Sequence, residues 1–337
     1  MTKIACIYHS VDLDGWMSAA IVQHWQLLEN NSYIAAGTDI PVIDFIGYNY
    51  GQPIPDLSEY DQVIMCDISF PNKEMKKLFV TSKGDNKLTW IDHHISAIKE
   101  NQTDELTPYI DGIRDPKFAA CELTWMHFFP DVKMPEIVRL LGRYDCFGHK
   151  GTDEEKYVLE FQYGARESIF DVDTALKHLK QSIKFSSDPE YWAIRGNNIE
   201  KDLHISGKAI YSYLCTQAKQ IFDHRFTMRF GNYCFAAINH ERFNPVNFGI
   251  DYHAYKADDV YYYDGVASFW ITPKGIKFSL YNDNGKVDCS AIASSLGGGG
   301  HKGASGFFLP FDYNGDGFSI YNFKSFLNSF KYLMGNG

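Results

Sequence analysis

The chain has 337 residues, of which 45% are hydrophobic and 22% charged, a composition typical of a globular protein with two domains of ordinary size. Asp and Glu outnumber Lys and Arg by 42 to 32, and the resulting net charge of −10 argues against broad electrostatic capture of long nucleic acid. The seven cysteines contain no CxxC pair, which excludes a disulfide framework and a zinc knuckle.

Short apolar runs in the first half predict buried strands, and the segments between them predict helices. The strands are Ile4–Tyr8, Val42–Gly47, Val63–Asp67 and Leu88–Asp92. The helices are Trp16–Leu28, Pro71–Val80 and Ala119–Phe129. Strands that alternate with helices indicate parallel β-α-β units and a sheet covered on both faces.

The pattern becomes helical after about Pro135 and returns to β type after Asp223. The predicted helices are Glu136–Arg143, Val172–Ser182, a stretch from about Ala193, and a closing helix at Phe323–Met334. The predicted strands are Phe235–Ile238, Val266–Thr272, Ile276–Tyr281 and Gly306–Leu309. We therefore predict an α/β fold with a parallel-sheet domain at 1–190, a helical linker at 191–225 and a smaller mixed α/β domain at 226–337.

Candidate metal ligands follow three of the four predicted strands. They are His9, Asp12, Asp14, Asp67, Asp92, His93 and His94. Because the carboxyl ends of parallel strands form the ligand crevice of open α/β sheets, these residues should converge. The alternative is structural, since Asp and Gly after a strand are common turn and helix-cap residues.

Two of these features favour a metal centre. Asp67 could share its two oxygens between two cations about 3.5–4 Å apart. Asp92-His93-His94 ends a buried run, where burying three such side chains without partners would be costly. One histidine could bind metal while the other faces substrate, and Asp92 could orient a ring.

A second motif lies near the C-terminus, where Gly297–Gly300 precede His301 and Lys302. Glycine adopts positive φ and has no side chain to block the approach of a phosphate to the backbone N–H groups. His301 and Lys302 add two donors suited to an anion. Metal ligands at one end and a phosphate loop at the other suggest phosphoryl chemistry.

Taken in order, these motifs resemble the DHH/DHHA1 phosphoesterase family, in particular its nano-RNase or oligoribonuclease-like members. The matching runs are His9-x-x-Asp12-x-Asp14-Gly15, Asp67, Asp92-His93-His94 and Gly297–Ala304, which together span nearly the whole chain. The resemblance implies a DHH catalytic domain, a helical linker and a DHHA1 substrate-binding domain, with the active site in the cleft between them. It also implies phosphate-ester hydrolysis with two divalent cations, Mn²⁺ first and Mg²⁺ as the alternative.

The resemblance assigns metal ligands by motif position. The ligands implied for the first metal are His9, Asp12 and Asp67. Those implied for the second are Asp14, His93 and Asp145, with Asp67 shared. Asp145 could also be an ordinary helix-terminal residue.

The resemblance assigns substrate contacts in the same way. His94 would contact the scissile phosphate and is, with Asp67, the predicted catalytic residue. The loop residues implied in substrate binding are Gly298, Gly299, Gly300, His301 and Lys302. Asp288 is predicted to cap the short helix before this loop.

Two departures from the family pattern stand out. His9 and Asp12 are three positions apart, where many relatives have four, and this spacing is typical of a subgroup. Tyr281 stands where some relatives carry an arginine, and a phenol cannot pair with phosphate as a guanidinium does.

The sequence thus predicts a two-metal phosphodiesterase that hydrolyses short oligoribonucleotides, especially 5′-phosphorylated linear dinucleotides of the pGpG or pApA type, to mononucleotides. Cyclic dinucleotides and pAp are the alternative substrates, and an inactive nucleotide sensor is the alternative of another class. We expect a cytoplasmic protein, since neither a signal peptide nor an apolar run of about 20 residues is visible. We expect no membrane or long-nucleic-acid partner, and dimerisation is left open.

Overall fold

A computed structural model describes residues 2–82, 88–101, 110–187, 198–241, 243–255 and 262–311. It divides the chain into two compact units, Met1–Ile210 and Tyr211–Gly337. The predicted closing helix Phe323–Met334 lies outside the described residues. In the described part, no helix is both long and apolar enough to cross a membrane.

The first unit is built on a four-stranded parallel sheet, which confirms the predicted fold class. The strands are β1 (Lys3–His9), β2 (Val42–Tyr48), β3 (Gln62–Cys66) and β4 (Leu88–Ile91), in the order β2-β1-β3-β4. The helices are α1 (Leu13–Ala36), α2 (Asn72–Ser82), α3 (Ile95–Asn101), α4 (Ala120–Phe128), α5 (Glu136–Asp145), α6 (Glu155–Ser168), α7 (Val172–Ser187) and α8 (Ile199–Asp223). The last of these runs across the boundary between the units.

Both faces of this sheet are covered by helices, as the continuous apolar runs of its strands predict. On one face Cys6 and Ile64 pack with Leu123 of α4. On the other face Ile7 packs in a cluster with Met75 of α2. The buried sheet holds its strand ends in a fixed register.

The predicted elements omitted α3 and α6. Helix α6 contains Gly164, and a glycine inside a helical pattern weakens its signal. In the structure this glycine admits the carbonyl of Leu203 in α8, because a Cβ at position 164 would lie 1.8 Å from that oxygen.

The chain reverses its direction of travel across the sheet at β1. It leaves β1 through α1 to reach β2 on one side, whereas β3 lies on the other side. The loops that follow β1 and β3 therefore diverge and leave a crevice at the carboxyl edge. Tyr8 pairs with Cys66, and Cys66 pairs with Ile91, so the residues that follow them emerge side by side.

The second unit contains a six-stranded mixed sheet. Its strands are β5 (Phe226–Phe230), β6 (Tyr233–Asn239), β7 (Gly265–Thr272), β8 (Gly275–Tyr281), β9 (Gly299–His301) and β10 (Ala304–Pro310), in the order β5-β6-β7-β8-β10-β9. Only β6 and β7 pair in parallel. Helix α9 (Cys289–Ser295) precedes β9, and 3-10 turns lie at Pro245–Phe248 and Tyr252–Ala254. This mixed sheet confirms the predicted C-terminal fold class.

Candidate metal centre

His9, the last residue of β1, contacts two carboxylates. Its Nδ1 atom lies 2.9 Å from Oδ2 of Asp12 and 3.3 Å from Oδ2 of Asp67. Asp12 belongs to the turn into α1, whereas Asp67 directly follows β3. The register of the parallel strands therefore joins residues 58 positions apart.

His93, in the loop that follows β4, contacts three carboxylates. Its Nε2 atom lies 3.3 Å from Oδ1 of Asp67, 3.3 Å from Oδ2 of Asp145 and 3.6 Å from Oδ2 of Asp14. Asp145 is the last residue of α5, so the helical segment brings it to the same edge as the strand ends.

These side chains form three overlapping sets in which all ligand atoms lie within 4.8 Å of one another. The sets are His9, Asp12 and Asp67; Asp14, His93 and Asp145; and Asp67, His93 and His94. The first two contain the same residues as the two ligand groups that the resemblance implies. Imidazole nitrogens and carboxylate oxygens are common ligands of divalent cations.

Asp67 belongs to two of these sets and contacts His93 of the third, and its local structure fits the presence of a cation. It adopts φ of +62°, a left-handed conformation that is uncommon outside glycine and often marks a functional site. The residue is 1% exposed, and its Oδ1 atom lies 3.3 Å from Nε2 of His93. Because a buried carboxylate is costly unless cationic groups surround it, a bound cation would stabilise this arrangement.

The two carboxylate oxygens of Asp12 have different partners, one at the start of α1 and one in the candidate metal site. Its Oδ1 accepts a hydrogen bond from the backbone N–H of Gly15 at 3.0 Å and caps α1, while its Oδ2 faces His9. Gly15 is needed for a close approach rather than for an unusual φ, because a Cβ there would lie 1.9 Å from the carbonyl oxygen of His9.

Asp14 also has a structural partner. Its two oxygens accept hydrogen bonds from the backbone N–H groups of Ala120 and Cys121 at 2.9 and 2.7 Å, which satisfies two orphan donors at the start of α4. These bonds fix the carboxylate in place beside His93. Burial and the neighbouring carboxylate of Asp67 raise the pKa of Asp14.

The ring of His94 is oriented by Asp92, whose side chain is completely buried. Oδ1 of Asp92 accepts a hydrogen bond from the backbone N–H of His94 at 3.0 Å and lies 2.9 Å from its Nδ1. Nδ1 therefore carries the proton. This is the orienting role predicted for Asp92.

The protonation of the cluster reflects its dense negative charge. Burial alone would lower the pKa of His9, but hydrogen bonds to Asp12 and Asp67 outweigh burial and raise it to about 11. Burial is likewise outweighed at His93, where Asp67 and Asp14 raise the pKa to about 10. The same histidines hold the pKa of Asp67 low despite its burial. Burial raises the pKa of Asp145 to about 6, against the opposing charge of His93.

Tyr50 lies beside this cluster and was not predicted. Its ring centroid lies 6.1 Å from that of His9 and 6.3 Å from that of His94. The phenol hydrogen-bonds to Ser69, and the side chain remains 51% exposed. The available signal was its position just after β2, at the sheet edge that carries the ligands.

The glycine-rich loop lies in the second unit. Asp288 accepts a hydrogen bond from the backbone N–H of Ala291 at 3.1 Å, which confirms it as the cap of α9. At the other end of α9, the N–H groups of Gly297 and Gly298 donate to Ser294 and Ala293 at 3.1 and 2.8 Å. These two amides are therefore engaged by the helix.

The rest of the loop forms a hairpin. Gly299, Gly300 and His301 make up β9, an exposed edge strand paired with β10. Lys302 follows in the turn and is also exposed. A phosphate would thus meet this edge strand rather than the start of the glycine run, and phosphate binding here stays a prediction.

Comparisons with known proteins find only relatives of low sequence identity. No family model matches the chain. It is 24% identical over 320 residues to an uncharacterized protein of Acanthamoeba polyphaga mimivirus, a match that covers 89% of this chain and 66% of that protein. The chain thus spans slightly less than two thirds of the length of this curated relative.

Three solved structures align with nearly the whole chain at low TM-scores. The pGpG-specific phosphodiesterase PggH of Vibrio cholerae is 12% identical, with 99% of this chain and 100% of that chain covered and a TM-score of 0.43. An exopolyphosphatase-related protein of Bacteroides fragilis is 14% identical, with 98% of this chain and 92% of that chain covered and a TM-score of 0.46. RecJ of Thermus thermophilus in complex with Mg²⁺ is 12% identical, with 98% of this chain and 49% of that chain covered and a TM-score of 0.37. At these low scores, the assignment to a family depends on the motifs and the site geometry, and it is a proposal.

Proposed function

We propose that the chain is a DHH-type phosphodiesterase with two divalent cations that cleaves short oligoribonucleotides. One observation carries this proposal: Asp67 contacts His9 through one oxygen and His93 through the other, at 3.3 Å in both cases. A buried carboxylate between two separate ligand sets has the arrangement that a two-metal site requires.

The donor set supports two neighbouring cations. His9, Asp12 and Asp67 would hold one, and Asp14, His93 and Asp145 would hold the other, with Asp67 shared. When bound, such ions activate a water molecule and neutralise the charge of the phosphate. We propose Mn²⁺, because each set combines imidazole with carboxylate ligands, and Mg²⁺ is the alternative.

His94 would stabilise the reacting phosphate. Burial alone would lower its pKa, but the hydrogen bond to Asp92 and the negative charges of Asp67 and Asp92 together outweigh burial and raise it. An imidazolium that donates from Nδ1 to Asp92 also carries an N–H on Nε2, and this group would donate to a non-bridging phosphate oxygen. A donor held in advance by a buried carboxylate stabilises charge that develops in the transition state.

Charge favours a short substrate. The net charge of −10 disfavours long nucleic acid, whereas a few local cations suffice for a dinucleotide. In this proposal Gly298, Gly299, Gly300, His301 and Lys302 bind a phosphate at the far end of the substrate. The favoured substrates are 5′-phosphorylated linear dinucleotides such as pGpG or pApA, and the products are mononucleotides.

The test is an Mn²⁺-supported time course on 5′-labelled RNAs of two to seven nucleotides, with cyclic dinucleotides and pAp alongside. Hydrolysis confined to the shortest linear RNAs supports the proposal. Activity only on cyclic dinucleotides or pAp would show that the proposed substrate is wrong, while the proposed phosphoesterase activity would stand. Tight dinucleotide binding with no turnover in Mn²⁺ or Mg²⁺ would make the chain a nucleotide sensor.

A further inference from the structure

The proposed site has a cationic neighbour outside all the recognised motifs. Arg166 lies near the end of α6, and its guanidinium donates to the phenol of Tyr144, the residue directly before the ligand candidate Asp145. We infer that Arg166 binds a phosphate oxygen of the substrate next to the metal-ligand sets. This inference rests on the proposed function, because it assigns a residue to the same site.

Two tyrosines hold the guanidinium in place. Its central carbon lies 5.1 Å from the ring centroid of Tyr144 and 5.5 Å from that of Tyr163. One nitrogen, Nη2, donates to the phenol oxygen of Tyr144 at 3.3 Å. Tyr144 directly precedes Asp145, so α5 carries a ligand candidate and the support for Arg166 on successive residues. A guanidinium held on aromatic faces is positioned before a ligand arrives.

Arg166 keeps most of its hydrogen-bonding capacity. A guanidinium has five N–H donors, and the bond to Tyr144 engages one of them. No carboxylate of a described residue lies within ion-pair distance of it. By contrast, Arg139 binds Glu136 and Glu154 through several short contacts, as expected of an arginine with a structural role.

Phosphate is the ligand that fits these remaining donors. The planar fork of arginine matches two oxygens of a phosphate, and Arg166 is exposed at the surface. Asp145, which follows Tyr144 in α5, belongs to a proposed metal set, so a bound cation would compensate its charge. An anion that reaches the metals would then also meet the guanidinium.

The test compares Arg166→Gln, Arg166→Lys and the control Arg139→Gln on pGpG and on GpG, which lacks the 5′-phosphate. Loss of a charged hydrogen bond should raise KM by roughly 10- to 100-fold in Arg166→Gln, with a smaller rise in Arg166→Lys. The control should stay within about twofold of the wild type, as for surface positions generally. A rise in KM for both substrates would place Arg166 at the cleaved phosphate. A rise for pGpG alone would place it at the terminal phosphate, away from the metal-ligand sets, and would overturn the inference.

An Arg166→Gln KM within twofold of the wild type on both substrates, with hydrolysis intact, would overturn the inference and leave the proposed function standing. If the wild type fails to hydrolyse any dinucleotide, the proposed function fails instead. Calorimetric titration of inorganic phosphate into the Mn²⁺-loaded wild type and Arg166→Gln proteins then tests Arg166 alone, and equal affinities overturn its role. Should Arg166→Gln not fold, the comparison of Arg166→Lys with wild type decides by the same criteria.

Discussion

Oδ1 of the fully buried Asp92 lies 2.9 Å from Nδ1 of His94 and also accepts the backbone N–H of that residue. Asp92→Asn removes the negative charge that keeps a proton on His94. We expect kcat to fall by roughly 10- to 100-fold, the usual effect of losing an orienting partner, while Mn²⁺ affinity changes less. Steady-state kinetics and calorimetry measure the two effects separately. An unchanged kcat would show that His94 does not depend on Asp92.

Asp67 offers the sharpest test of the metal centre. Asp67→Asn keeps the size of the side chain, and Asn tolerates a left-handed φ as well as Asp does. We expect weaker Mn²⁺ binding and a loss of turnover of roughly three orders of magnitude or more, since a principal source of transition-state stabilisation is removed.

Asp44→Asn provides a control for the Asp67 variant, because Asp44 bonds to Tyr60 in the same unit and lies outside the candidate ligand sets. Its metal affinity and its rate should match those of the wild type. Near-normal hydrolysis by Asp67→Asn would rule out the two-metal assignment.

Metal affinity should increase with pH. In the metal-free protein His9 and His93 have pKa values of about 11 and about 10, so both are protonated at pH 7. A cation binds the neutral imidazole and must displace these protons, so raising the pH strengthens binding by up to about tenfold per unit for each proton released. Mn²⁺ titrations between pH 6 and 9 check this slope. A flat or falling affinity would contradict the assignment of these histidines as ligands.

Gly15→Ala should disturb the first turn of the site. Alanine normally stabilises a helix interior relative to glycine, but here its Cβ would lie 1.9 Å from the carbonyl oxygen of His9. We expect the free energy of unfolding to drop by about 3 kcal/mol, the scale of a forced overpacking. Urea unfolding measures this change, and a stabilised variant would show that β1 and α1 can separate at little cost.

His301→Ala tests the exposed strand β9. If this strand binds the far phosphate, loss of the imidazole should raise KM by roughly tenfold, the value of one charged hydrogen bond, with kcat nearly unchanged. Lys302→Ala, in the adjacent turn, should have a smaller effect. Equal KM values for the wild type and His301→Ala would remove the hairpin from the substrate site.

The fold class could be predicted from the sequence because buried segments show a recognisable pattern of apolar residues. Strands covered on both faces are continuously apolar, so β1 to β4 could be predicted near their observed ends. Strand β9 could not, because Gly299–His301 carries no β-forming residue and is a strand only through pairing with β10. For the same reason, the sequence did not predict that Gly297 and Gly298 complete the end of α9 while Gly299 and Gly300 belong to the edge strand β9.

The candidate ligands were also readable, as polar residues directly after apolar strands. Sequence patterns alone establish which chemical groups are available at the sheet edge, namely imidazoles and carboxylates in a recognisable order. Their roles as ligands remain predictions.

Which of these atoms come into contact depends on the three-dimensional fold. Strand register sets Asp67 between His9 and His93, and α5 brings Asp145 to the same edge. Such distances depend on packing between segments far apart in the chain, and a local pattern of residues carries no record of that packing.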